Sequence, residues 1–184
     1  MKNIPALDSK VLDLVTEISK EPKVEAAMAF IKDQTEVAMQ EQIELCEIEA
    51  PTFHEEKRAA SVAERMKQYG LTDVHIDEIG NVIGIRKGTG SGPVLAIGAH
   101  MDSVFPAGTD VKVKKEGNIY RAPGIGDNCS GLRALLQVLR AMEKEDIRTV
   151  GDIWFVGTVG EEGNGDIRGS KHLCANNKLD GFVA

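Results

Sequence analysis

The sequence predicts an α/β sandwich around a largely parallel sheet, and two observations predict it. Apolar residues recur at helical spacing in several segments, and short apolar runs of strand length alternate with those segments. In open sheets of this kind, sites form beyond the carboxyl ends of the strands.

The elements follow in order. Val11, Leu14, Val15 and Ile18 have helical spacing and predict a short first helix, broken at Glu21-Pro22. A longer helix is expected over residues 24–46, with Val24, Met28, Ile31, Ala38 and Leu45 on one side, and Ala50-Pro51-Thr52 ends that segment. Ala59, Val62, Ala63 and Met66 fall at i, i+3, i+4, i+7 and predict another helix, with Gly70 as its stop. The period then changes to two. Val74-His75-Ile76-Asp77 alternates, and residues 81–85 continue as extended chain. Residues 88–93 form a turn or loop, and residues 94–99 are an apolar run expected as a buried strand. Residues 112–121 predict a hairpin turning at Glu116-Gly117-Asn118. Leu132, Leu135, Leu136 and Leu139 mark a further helix, and residues 153–159 a second buried strand.

Composition narrows the function. A chain of 184 residues is one ordinary domain, long enough to bury a core. With 42% hydrophobic and 28% charged residues, a soluble globular protein is expected. Aromatics at 4% argue against a stacking surface for single-stranded nucleic acid. A formal charge of -7 opposes a phosphate backbone or an anionic membrane, so neither nucleic acid nor membrane is expected as a partner. Cys46, Cys129 and Cys174 are odd in number and widely spaced, without a CxxC, which fits a reducing compartment. Residues 1–10 lack a long apolar leader, and no stretch approaches the ~20 apolar residues of a membrane span. A cytoplasmic enzyme is the expectation.

Three places lie where a strand is expected to end. The first is Gly98-Ala99-His100-Met101-Asp102. In extended chain, His100 and Asp102 point to one side, and a carboxylate there can fix the imidazole tautomer, as it does behind zinc-bound histidines. A surface loop with a chance H-x-D is the alternative. The second is Gly124-Ile125-Gly126-Asp127-Asn128, just before the Leu132 helix. A carboxylate there stays ionised near the positive helix end and can bind a cation, unless Asp127 or Ser130 is simply an N-cap. The third is Gly160-Glu161-Glu162-Gly163. Adjacent carboxylates after a buried strand repel unless a cation or proton lies between them, and a solvated acidic turn is the alternative.

In combination, His100-Met101-Asp102-Ser103-Val104-Phe105-Pro106, the segment from Ala122 through Asp127-Asn128, and Val159-Gly160-Glu161-Glu162-Gly163-Asn164-Gly165 resemble the three metal motifs of the M20 family of zinc metallopeptidases and deacylases, the aminoacylase and carboxypeptidase G2-like group. The resemblance spans residues 51–184. It implies a three-layer α/β/α sandwich with a mixed, largely parallel, zinc-exopeptidase-like sheet, and metal-dependent hydrolysis of peptide or amide bonds at a dinuclear zinc site. His100 would bind one zinc, with Asp102 orienting it, and Asp127 would bridge two. Glu162 would bind the second, and Glu161 would be the general base. The peptide after Asp127 is often cis in the family. N/O ligands suit zinc and also admit cobalt or manganese.

Other candidates carry less. His54 and His75 lie in polar contexts, His172 in an expected helix, and Cys46, Cys129 and Cys174 read as packing residues. The resemblance also implies that residues 1–184 are the N-terminal part of a catalytic domain, with residues 1–50 a helical segment packed on it. The lid or dimerisation domain and further metal ligands would lie outside it. Asp180 precedes an expected strand, whereas a family ligand would follow one. Such a truncated sheet would self-associate through its open edge and be inactive alone. Among substrates, a small peptide is favoured over an N-acyl amino acid, and a non-catalytic remnant of the fold is the alternative of a different class.

Overall fold

A computed structural model describes residues 8–184. The expectation of no apolar leader therefore falls mainly on residues outside the described ones. Five strands form the central sheet: β1 Asp73–Ile76, β2 Val82–Arg86, β3 Leu95–His100, β6 Ile153–Thr158 and β7 Gly181–Val183. Their order is β1-β2-β6-β3-β7. The β6–β3 and β3–β7 pairings are parallel, whereas β1–β2 and β2–β6 are antiparallel. The sheet is thus mixed, with parallel pairing confined to the half that carries His100.

Local chemistry explains the antiparallel half. Asp77 Oδ1 accepts the N–H groups of Ile79, Gly80 and Asn81 at 3.1, 2.9 and 2.8 Å, closing a tight turn between β1 and β2. So short a connection permits only antiparallel pairing, while the parallel β3–β6 pair needs a long crossover. That crossover contains the separate hairpin of β4 Lys114–Glu116 and β5 Ile119–Arg121, then the helix α5 Cys129–Lys144.

The remaining helices are α1 Ser9–Ser19, α2 Pro22–Asp33, α3 Thr35–Cys46, α4 Glu56–Gln68 and α6 Arg168–Asn176. The helix expected over residues 24–46 is two helices, broken at Gln34 (φ -91°, ψ 13°). There the Thr35 hydroxyl donates to the Lys32 carbonyl at 2.6 Å, a local bond that competes with the continuing helix. Pro22 opens α2 in the first turn, where its missing N–H costs nothing.

Helices cover both faces. From α3, α4 and α5, Leu45, Val62, Met66, Leu132, Leu136 and Leu139 pack with Val82 and Phe155 on one face. On the other, Leu173 of α6 packs with Ile83, Ala96 and Val156. Adjacent residues Val82/Ile83 and Phe155/Val156 thus serve opposite layers, as the strand period of two requires. Arg58 on α4 is 1% exposed and has main-chain carbonyls for partners: Leu45 at 3.1 Å, Met101 at 2.7 Å, Cys46 at 3.4 Å and Ile48 at 2.5 Å. It closes the carboxyl end of α3 and anchors Met101, the residue between His100 and Asp102. Beneath Met101, Gly157 leaves room for the sulfur, which would lie 2.8 Å from a Cβ there.

Candidate metal centre

His100 is the last residue of β3, and its ring is largely buried. Nδ1 lies 3.1 Å from the main-chain oxygen of Asp102 and 3.5 Å from its carboxylate. Two acceptors on that side place the proton on Nδ1. The other nitrogen, Nε2, is then free to face acidic groups. It lies 2.9 Å from Asp127 Oδ1 and 3.8 Å from Glu161 Oε2.

Asp127 precedes α5 and is exposed; the Asp127–Asn128 peptide is cis. The N-cap of α5 is Asn128, whose side chain accepts the Gly131 N–H at 3.0 Å. Ser130 bonds instead to the Gly126 carbonyl. Asp127 is therefore released from capping and turns to the imidazole.

Glu161 and Glu162 follow β6. Their N–H groups donate to the two carboxylate oxygens of Asp102, at 2.9 and 3.0 Å, and the Thr52 hydroxyl donates to Oδ2 at 2.9 Å. The loop carrying Thr52 is tied alongside by Ser103 N–H to the Ala50 carbonyl, 2.9 Å, and by the Pro51–Ser103 bridge. One ligand atom each from His100, Asp127 and Glu162 lies within 4.8 Å of the others.

The electrostatics follow from this crowding. Burial lowers the His100 pKa, but the Asp102, Glu161 and Asp127 carboxylates outweigh it and hold the imidazolium to about 9. Burial raises Asp102, yet His100, two backbone N–H groups and Thr52 bring it down to about 2. Glu162 is raised, first by desolvation and then by the Asp127 and Glu161 charges. Four carboxylates, those of Asp102, Asp127, Glu161 and Glu162, around one imidazole leave an excess of negative charge, and an N/O donor set of this kind fits a divalent metal. A cleft of about 330 Å³ opens beside Glu162, lined by Phe53, Val104, Phe105 and Pro106 among others.

The remaining candidates are not among the converging ligand atoms. His54 is exposed, His75 pairs with Asp73 at 3.7 Å, and His172 faces Glu78 at 3.0 Å. Asp180 accepts the Val94 N–H at 2.8 Å, bracing the entry to β3. Cys46 and Cys129 are buried free thiols, and Cys174 is exposed and free. The motif spacing gave no sign of Thr52, Asn81, Glu55 or Arg168, whose polar atoms reach this region only on folding.

Comparison with known proteins agrees with the fold. Residues 96–184 match the model for peptidase family M20/M25/M40. A putative LysW-lysine/LysW-ornithine hydrolase of Pyrococcus abyssi is 35% identical over 120 residues, 65% of this chain and 32% of that protein. The uncharacterized protein YqjE of Bacillus subtilis is 30% identical over 136 residues, 67% of this chain and 36% of that one. The chain thus spans about a third of the length of these relatives. Among solved structures, a tripeptidase of Staphylococcus aureus superposes with TM-score 0.65 at 31% identity, over 79% of this chain and 42% of that chain. The aminopeptidase PepT of Bacillus cereus shares the fold, with TM-score 0.67 at 24% identity over 80% and 42% of the two chains. The family match over the segment that carries all three motifs, with the shared fold, makes this chain a member of peptidase family M20/M25/M40.

Proposed function

We propose that the whole protein is a zinc exopeptidase that hydrolyses the amide bonds of small peptides, and that this chain is the N-terminal part of its catalytic domain. The observation that carries the reading is the convergence of His100, Asp127 and Glu162 within 4.8 Å, with Glu161 at its edge. His100 and Glu162 would each hold a zinc and Asp127 would bridge the two; cobalt or manganese could replace zinc in such a donor set. When bound, the metal supplies Lewis acidity.

The chain's own groups have separate tasks. Asp102 keeps the His100 proton on Nδ1 and orients the ring. Glu161, partly exposed, accepts a proton from the attacking water and returns it to the leaving amine. The apolar wall of Phe53, Val104, Phe105 and Pro106 offers room for a substrate side chain. The 31% identical tripeptidase supports a peptide substrate. The relatives named as LysW-lysine/LysW-ornithine hydrolases favour, as a second reading, another amino-acid derivative. The free thiols support a cytoplasmic setting within the same proposal; among the described residues, no helix is long and apolar enough to cross a membrane.

Calorimetric zinc titration tests the metal assignment. His100→Ala and Glu162→Ala are expected to abolish most zinc binding, and Glu161→Gln to retain it while removing hydrolysis in the full-length protein. Zinc binding that survives both alanine variants would refute the assignment.

A further inference from the structure

Four consecutive backbone N–H groups, those of Val159, Gly160, Glu161 and Glu162, are each accepted by a side-chain oxygen. Asn81 Oδ1 takes Val159 at 3.1 Å and Glu55 Oε1 takes Gly160 at 2.9 Å. Asp102 takes the next two. β6 ends at Thr158, so these groups no longer have a strand partner and depend on side chains from three other segments. Asn81 and Asp102 are 0% exposed and Glu55 is 3% exposed.

Of this set Asp102 belongs to the metal site, whereas Asn81 and Glu55 do not, and Glu55 is the one held by an ion pair. Both its oxygens lie 3.1 Å from Arg168 Nη2. Arg168 Nη1 donates to the Ile79 carbonyl at 2.9 Å, and its guanidinium lies 5.2 Å from the Phe53 ring centre. The Arg168 main-chain N–H donates to the Gly160 carbonyl at 3.1 Å. Gly160 is therefore held on its N–H by Glu55 and on its C=O by Arg168. Its φ is +58°, and a Cβ there would lie 2.5 Å from Arg168 Nε. The backbone turn that carries Glu161 and Glu162 off the strand thus needs glycine and is packed shut by the same ion pair.

With Glu55 buried and the Arg168 side chain 28% exposed, the ion pair contributes little net stability, because desolvation offsets much of its attraction, but it fixes geometry where several hydrogen bonds converge on it. We infer that Glu55, clamped by Arg168, is a positioning residue: it sets Gly160, and through it the aim of the Glu162 carboxylate at His100 and Asp127. The consequence for metal rests on the function proposed above. The effect on the backbone does not, and is read without metal.

Two measurements are made on Glu55→Ala, Glu55→Gln and a control, Glu143→Ala. One is residue-resolved amide hydrogen exchange by NMR on the metal-free chain, and the other is zinc affinity by competition with a chromogenic chelator. Glu143 pairs with buried Arg86, whose register partner Ile153 starts β6 at the end of the sheet away from His100. The control therefore loses a buried partner without touching the turn. In Glu55→Ala, protection should fall at Gly160, Glu161 and Glu162 together, with zinc affinity down about tenfold, the scale seen for outer partners of ligands. Glu143→Ala should lower the melting temperature and change neither readout. Glu55→Gln keeps an acceptor for the Gly160 N–H and should restore most of both. A folded Glu55→Ala that loses protection at Gly160 alone and binds zinc like the wild type overturns the inference, as does a control that matches it in zinc affinity. If Glu55→Ala does not fold, Arg168→Lys is judged by the same criteria, with an intermediate loss expected. A wild-type chain with these amides protected but no zinc binding defeats the functional reading instead, and the exchange data then decide the positioning role alone.

Discussion

Asp102 Oδ2 accepts the backbone N–H of Glu162 at 3.0 Å, so the residue two places past His100 grips the peptide that presents another candidate ligand. Its other oxygen takes Glu161 N–H at 2.9 Å. Asp102 thereby couples two motifs that lie about sixty residues apart.

The first prediction concerns that coupling. In Asp102→Asn the amide keeps one acceptor oxygen and turns an NH2 toward the second backbone N–H. One backbone donor facing the buried Asp102 position is then unpaired, which costs about 1 kcal/mol or more. Thermal unfolding should show that loss. Zinc affinity should fall by roughly 10–100-fold as the imidazole and the Glu161–Glu162 peptide both lose their support. An unchanged melting curve would show that Asp102 orients nothing.

The second concerns Glu162. Its carboxylate is raised by desolvation and by the Asp127 and Glu161 charges, so in the metal-free chain it is a repelled group. Glu162→Gln is expected to leave the metal-free melting temperature unchanged or slightly higher, while zinc binding is largely lost. A lower melting temperature without metal would mean that Glu162 has a supporting role in the fold.

The third concerns Arg58, buried at 1% exposure with main-chain carbonyl partners only. Hydrogen bonds from a charged donor are worth about 1.5–3 kcal/mol each, less the penalty of burying the charge, so Arg58→Met should destabilise by about 3 kcal/mol. Urea denaturation measures this. Zinc affinity should also weaken, because the Met101 carbonyl loses its anchor beside His100.

The fourth is a pH dependence away from the metal. Glu41 is raised above its usual value chiefly by burial, against the lowering by Tyr69, Arg65 and Arg140. A carboxyl raised in the folded state binds more protons there than in the unfolded chain. Stability from this group is therefore lost as pH rises from about 4.5 through the folded value. Glu41→Gln removes that loss and can still accept from the Tyr69 hydroxyl, now at 2.6 Å. The stability of Glu41→Gln relative to wild type should increase with pH across that window; a constant difference in melting temperature from pH 4 to 7 would exclude it.

The fifth concerns the isolated chain. With His100, Asp127 and Glu162 as its side-chain donors, it should bind zinc weakly and hydrolyse no peptide. β7 ends the sheet with three residues paired to β3, and its outer edge is expected to pair with another copy. Zinc-dependent peptide hydrolysis that disappears in Glu161→Ala would overturn the first expectation, and light scattering from a monomer at high concentration the second.

The sequence alone determined the elements and the three ends from which the candidate site is built. Period and run length are local properties, so β3, β6, α4 and α5 were legible within a residue or a few, and His100, Asp127, Glu161 and Glu162 lay where strands or loops ended. Resemblance supplied the roles that spacing could not. The break at Gln34 was not legible, because the apolar pattern runs through it; the Thr35 hydroxyl bond to the Lys32 carbonyl accompanies it there. Tertiary structure alone decided which half of the sheet is parallel, since that depends on which strands meet across the crossover. It also decided which oxygens hold the Glu161–Glu162 peptide. Glu55, Asn81, Thr52 and Arg168 are ordinary polar residues in sequence. Each becomes specific only when folding sets it against a backbone N–H or a carboxylate at the ends of β3 and β6, where polar groups withdrawn from water must find partners.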